Sequence, residues 1–232
     1  MQINDSITKR QHAGAGAAFT LVDLFYTLAV LSVLCALVIV PWSRMKQKAS
    51  LTTCSENLHQ IGRALSLYCE DNRDTLPVGL SIPSVELWWS YKEQIKRYIP
   101  NSGLEVDKVF ACPADRGYSD PQPFHKTARF AHGSYPYNGV TIGDVPNIAG
   151  WRLHEITAPQ RTLLAMEWCA HAPLSWHKSR TGKRNLPFYG DAESMVVFVD
   201  GHAAFTKIYY DGYNAAYTRD PIPGYNYKYS GK

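Results

Sequence analysis

No C-x-x-C pair, no H-E-x-x-H, no G-x-S-x-G and no glycine-rich phosphate cradle occurs in these 232 residues. Those absences argue against a zinc knuckle or thioredoxin-like site, a zincin, a serine-hydrolase elbow and a nucleotide loop. The net charge is only +4 and its lysines and arginines are not gathered into a stripe, so nucleic acid is not an expected partner. No dense acidic loop is present to hold calcium; Asp115, Asp120 and Asp191 are scattered. A cleaved secretory signal is disfavoured too, because Pro41-Trp42-Ser43-Arg44 follows the first apolar stretch where a small-residue site would be needed. A lipoprotein site at Cys35 fails because bulky Leu34 precedes it.

What is present is an apolar run of 22 residues, Phe19 to Val40, whose single charge is Asp23. As a helix it spans about 33 Å, enough for a hydrocarbon core of roughly 30 Å. A carboxylate inside such a helix costs roughly 2.5–3.5 kcal/mol at its centre, so a chain that keeps one is expected to provide it with a partner. Lys9 and Arg10 precede the run, and Arg44, Lys46 and Lys48 follow it, so charge orients the segment only weakly. With 45% apolar and 19% charged residues, the remainder is sufficient for one sizeable folded domain.

The stretch Ala18-Phe19-Thr20-Leu21-Val22-Asp23-Leu24 resembles the processing site of type IV prepilins and type II secretion pseudopilins. The resemblance implies that a prepilin peptidase removes residues 1–18 by cutting between Ala18 and Phe19, and N-methylates Phe19. It also implies that Asp23 neutralises the ammonium of a neighbouring pilin subunit during filament assembly. Two departures are visible: Ala18 stands where the family usually has Gly, and Asp23 where it usually has Glu, one methylene longer. A plain uncleaved anchor is the alternative.

Beyond Pro41, which should kink or loosen the helix, Leu51, Cys54, Leu58, Ile61, Leu65 and Tyr68 recur in steps of three and four. Asp71-Asn72-Arg73-Asp74 and Leu76-Pro77 supply the stop, so Phe19 to about Asn72 reads as one long helix. Cys54-Ser55-Glu56-Asn57-Leu58-His59-Gln60-Ile61-Gly62 is similar to a stretch that follows the membrane helix in a pseudopilin-like family of envelope-rich bacteria. That family's later motifs are matched in order by Cys112-Pro113-Ala114-Asp115, Ser134-Tyr135-Pro136-Tyr137-Asn138 and Asp200-Gly201-His202.

Cys54 and Cys69 lie roughly 22 Å apart along one helix and cannot pair. In an oxidising compartment Cys112 could bridge Cys54 or Cys169, Cys54–Cys112 being the first candidate; buried free thiols are the alternative. Leu87, Tyr91, Ile95 and Tyr98 behind Pro83-Ser84 predict an amphipathic helix over Val85–Ile99. Residues 100–160 read mostly as loops. Strands are expected at Thr162–Trp168, Ser194–Val199 and His202–Ile208, the last two joined by Asp200-Gly201 as a type I′ turn.

The expected fold is α+β and pilin-like: a leader at 1–18, a transmembrane helix at 19–41, its amphipathic continuation at 42–75, a head at 76–208 and a tyrosine-rich tail at 209–232. The resemblance implies a non-enzymatic, cofactor-free subunit in the bacterial inner membrane, single-pass, with its head in the periplasm or at the cell surface. Two other classes compete. A membrane-anchored metal-dependent hydrolase would use His177, Asp200 and His202, with His171 nearby in sequence, although their spacing is irregular. A glycan-binding module would use Trp88, Trp89 and the tail tyrosines, which otherwise pack over the sheet.

Overall fold

The computed structural model describes residues 20–79, 90–100, 106–115, 133–141, 144–167, 176–177, 192–209 and 220–232. Ala18, Phe19, Trp88, Trp89, Cys169, His171, Tyr210, Tyr213 and Tyr217 lie outside the described residues. The chain divides into two compact units, Met1–Met45 and Lys46–Lys232.

Helix α1, Leu21–Asp71, is 51 residues long, about 77 Å at an α-helical rise. In the first unit its large apolar side chains stand in the open, with Leu21 70%, Phe25 65% and Leu37 67% exposed. By length and composition this stretch can cross a membrane. The helix continues through Pro41. Proline there forgoes one backbone hydrogen bond without ending the element.

In the second unit the three-and-four stripe does what its period predicts. Cys54, Leu58, Ile61 and Leu65 are fully buried, and Leu51 and Tyr68 at the two ends of the stripe are partly buried against the same core. They pack among the residues of a three-stranded antiparallel sheet, β1 Leu163–Met166, β2 Ala192–Phe198 and β3 Ala203–Ile208, in the order β1-β2-β3. The result is the expected α+β arrangement. Gly62 makes the close approach possible, since a Cβ there would sit 3.1 Å from a Val197 methyl. The helix ends where the Asp74 N–H bonds the Cys69 carbonyl at 2.8 Å, with Arg73 and Asp74 in the left-handed region at φ 56° and 63°.

The turn between β2 and β3 differs from the expected type I′. Gly201 has φ +90°, whereas Asp200 is not in the left-handed region that type I′ requires of both central residues. Instead the Gly201 N–H bonds the Phe198 carbonyl at 2.9 Å and the Phe198 N–H bonds the His202 carbonyl at 2.9 Å. These bonds close a three-residue loop, a β-turn followed by a left-handed glycine, which is the next most common hairpin. Asp200 has a reason to avoid φ > 0: its Oδ1 accepts from the His202 N–H at 3.1 Å.

Of the helix expected over Val85–Ile99, residues 85–89 lie outside the described residues, and the rest holds α2, Tyr91–Ile95, followed by a 3-10 turn, Lys96–Tyr98. Tyr91 and Ile95 are fully buried. The end of the chain is built into the same core. Thr162 bridges Lys228 in parallel, and Tyr227 and Tyr229 are 1% and 3% exposed. Tyr209, Tyr225, Tyr227 and Tyr229 meet edge to face in sequence at 5.6, 6.0 and 5.7 Å.

Candidate functional site

Asp23 sits in the first turn of α1, and its immediate neighbour is Thr20. The Thr20 N–H and hydroxyl both donate to Asp23 Oδ2, at 3.0 and 2.7 Å, and the Asp23 N–H donates back to Thr20 Oγ1 at 3.2 Å. This is a reciprocal capping box, with Asp in place of the more usual Glu. It satisfies two amides that the start of any helix leaves without partners. The Thr-x-x-Asp spacing of this cap is legible in the sequence.

Three of the head's ordered motifs, those of Cys54, Cys112 and Ser134, meet at the join between α1 and the loop around residue 112. A disulfide links Cys54 to Cys112, with Cα atoms 5.3 Å apart at a sequence separation of 58. One turn along α1, Asn57 donates from Nδ2 to the Ala111 carbonyl at 3.1 Å. The Cys-Pro-x-Asp segment forms a turn in which the Asp115 N–H bonds the Cys112 carbonyl at 3.0 Å. Ser134 then locks that turn: its Oγ accepts from the Cys112 N–H at 2.8 Å and donates to Asp115 Oδ2 at 2.8 Å.

Four residues on, Asn138 donates from Nδ2 to the Leu163 and Tyr229 carbonyls at 2.7 and 2.8 Å, and its N–H bonds the Leu164 carbonyl at 2.9 Å. Between them Tyr135 is fully buried, and its carbonyl accepts from the Tyr91 hydroxyl at 2.9 Å. Burial pushes both phenols up, so neither ionises at neutral pH. These motif residues hold loops to helix and sheet. Their polar atoms are turned toward the protein.

The three weak metal candidates do not form one group among the described residues. His202 stacks on Phe198 at 4.4 Å and contacts Asp200 through Nδ1 at 2.6 Å, in a half-open position at the hairpin tip. His59 of α1 reaches the same tip, its Nδ1 3.1 Å from the Gly201 carbonyl oxygen. His177 lies elsewhere and is buried: its Nε2 is 3.3 Å from Cys112 Sγ and 3.5 Å from Glu167 Oε1. The one group of metal-ligand atoms that gathers within 4.8 Å among the described residues is Cys54, Cys112 and His177.

Glu167, which no motif marked, is fully buried directly after β1, and its Oε2 accepts from the Met195 N–H at 2.9 Å. The only sequence hint was an acid closing a strand of otherwise buried residues. The other two cysteines of the described residues differ in character. Cys35 is exposed in the apolar stretch, whereas Cys69 is buried and its thiol is pushed up to about 12, first by burial and then by Asp74 and Glu70.

A shallow surface groove of about 550 Å³ runs beside the hairpin, lined by Phe198, His202, Phe205 and Tyr225 among others. Comparison with protein-family models, with curated proteins and with solved structures finds no match to this chain.

Proposed function

We propose that this chain is a pilin-like, pseudopilin-type structural subunit of a type II secretion or type IV pilus-type filament. It is processed between Ala18 and Phe19 and N-methylated there by a prepilin peptidase. What supports the reading is one continuous helix whose first half exposes apolar side chains along its length and whose second half is the spine of an α+β head. Such a helix can exchange lipid for the flanks of other subunits without disturbing the head. The head's motif residues serve cohesion, which suits a structural part better than an enzyme.

Asp23 keeps a place in this mechanism. Both of its intrachain bonds fall on Oδ2, so Oδ1 is the oxygen open to a neighbouring subunit's ammonium. The pairing would then set register between subunits, a role for which buried polar groups are well attested. A second reading is an uncleaved membrane anchor, in which the same capping box starts the helix at Leu21.

The N-terminal mass of the protein taken from membranes separates the two. A chain beginning at N-methylated Phe19 supports the filament subunit, and an intact Met1 overturns it. Asp23→Ala should insert and fold yet enter filaments poorly; unchanged incorporation would remove the assembly role.

A further inference from the structure

The environment of the Cys54–Cys112 bond is unusual for a merely structural disulfide. A buried imidazole nitrogen and a buried carboxylate stand beside the sulfurs. His177 Nε2 is 3.3 Å from Cys112 Sγ and 3.5 Å from Glu167 Oε1. One ring nitrogen thus stands beside both a sulfur and a carboxylate oxygen, and thiolate, imidazole and carboxylate are the ligands that zinc takes.

The distances agree with that picture. With metal–sulfur bonds of about 2.3 Å and metal–nitrogen or metal–oxygen bonds of about 2.0–2.2 Å, a tetrahedron places sulfur and nitrogen roughly 3.5 Å apart and nitrogen and oxygen roughly 3.4 Å apart. Both observed separations lie within about 0.2 Å of those edges. The ligand atoms of Cys54, Cys112 and His177 already lie within 4.8 Å of one another, and Glu167, outside that group, approaches it from the His177 side. The support around them is also in place. Glu167 is held through its other oxygen by the Met195 N–H, and the Cys112 N–H is fixed by Ser134.

The geometry points to a redox-gated divalent metal site: when the Cys54–Cys112 disulfide is reduced, Cys54, Cys112 and His177 bind Zn²⁺, with Glu167 as the fourth ligand. A dithiol reductant delivers two electrons and two protons to the S–S bond and is itself oxidised to a disulfide. The two thiols then surrender their protons as the thiolates ligate the metal. Oxidised and metal-loaded states thus make the same tie between α1 and the 106–115 segment by different bonds. This inference does not depend on the filament reading.

The test uses the full chain in detergent, with Co²⁺ as a spectroscopic stand-in for Zn²⁺. After phosphine reduction, Co²⁺ should give a thiolate-to-metal charge-transfer band and tetrahedral d–d bands that saturate at one equivalent and vanish on adding Zn²⁺. The unreduced chain should show none of these. His177→Ala, which keeps the disulfide while the protein is prepared, should weaken Co²⁺ binding about tenfold or more, and Glu167→Gln should weaken it less. Absence of the bands in the reduced wild type, or bands as strong and as tightly held in His177→Ala, overturns the site. Should reduction loosen the head, recovery of its near-ultraviolet circular dichroism on adding Zn²⁺ supports the site, and no recovery counts against it.

Discussion

The head and the apolar stretch of α1 treat their side chains in opposite ways. In the head, Asn57, Ser134 and Asn138 all spend side-chain hydrogen bonds on carbonyls, amides or side chains of the same chain. The apolar stripe is fully closed off from Cys54 to Leu65. Between Leu21 and Leu37, by contrast, every large apolar residue is at least half exposed. A helix that is apolar all round is stable only in apolar surroundings. The head therefore carries the source of its stability within itself, and the span must take its own from lipid or from other chains. Four variants test how far that separation holds.

The largest effect is expected at the covalent tie. Replacing Cys54 and Cys112 together by Ser releases a constraint spanning 58 residues, which in the chain-entropy account costs about 4 kcal/mol of head stability. A denaturant titration of the oxidised chain against the double variant measures it. A loss under about 1 kcal/mol would mean that the head is held by its hydrogen-bonded loops alone.

Next comes Asn138→Ala. It leaves the buried Leu163 and Tyr229 carbonyls without their donor, joining as they do β1 to the end of the chain. At roughly 1–3 kcal/mol for each buried group left unsatisfied, the expected loss is about 3 kcal/mol, read as a shift of the denaturation midpoint. The variant should also loosen residues 225–232 first, visible as faster amide exchange there.

Lys92 gives a pH test of how closed the head is. It is 3% exposed, with its ammonium 5.5 Å from the centre of the Phe110 ring. Burial, followed by the charge of Lys96, lowers it from 10.5 to about 8, against the opposing pull of Asp107 and Glu93. Between about pH 8 and 10.5 the unfolded chain holds this proton and the folded head does not, so Lys92 makes stability rise with pH across that window. Above about pH 9 the buried Cys69 thiol opposes the rise, because the unfolded chain gives up that proton while the head keeps it up to about 12. The contribution of Lys92 is at most about 3 kcal/mol. Lys92→Met should remove the rise, which stands alone between about pH 8 and 9, and be the more stable protein at pH 7. A wild-type profile that is flat between about pH 8 and 9 would show Lys92 reaching water.

These expectations also mark what could be seen in the sequence. The stripe of α1 was legible because its contacts repeat every three or four residues, and so was the hairpin, whose strands are adjacent. The stop of α1 was legible from Asp71-Asn72-Arg73-Asp74, although the left-handed pair that executes it contains no glycine. The hairpin's turn type was not legible, because Asp200 could either adopt φ > 0 or bond its own backbone, and only geometry decides. The cluster around His177 was hidden for a different reason. Residues 54, 112, 167 and 177 come from a helix, a loop, the end of a strand and a separate segment, and no local period joins them. The expected grouping of His177 with Asp200 and His202 followed ligand type alone, imidazoles with a carboxylate, whereas the fold sends the first to the disulfide and the other two to a hairpin tip.

The smallest effect is the one that bears most directly on the comparison. Thr20→Val keeps the shape of the side chain but removes the hydroxyl that donates to Asp23 and accepts its N–H. The start of α1 should lose about 1 kcal/mol, seen as faster amide exchange over the first turn in detergent. The head's denaturation midpoint should stay within about 0.5 kcal/mol of wild type, as for substitutions that touch none of its contacts. If the midpoint moves with the first turn, the helix transmits its end state into the head and the two regions are one cooperative unit. If only the first turn responds, Thr20 and Asp23 form a local device. The same variant then bears on filament entry: a cap that merely starts the helix should be replaceable there, whereas a carboxylate that must also meet a neighbour's ammonium should tolerate loss of Thr20 better than loss of Asp23.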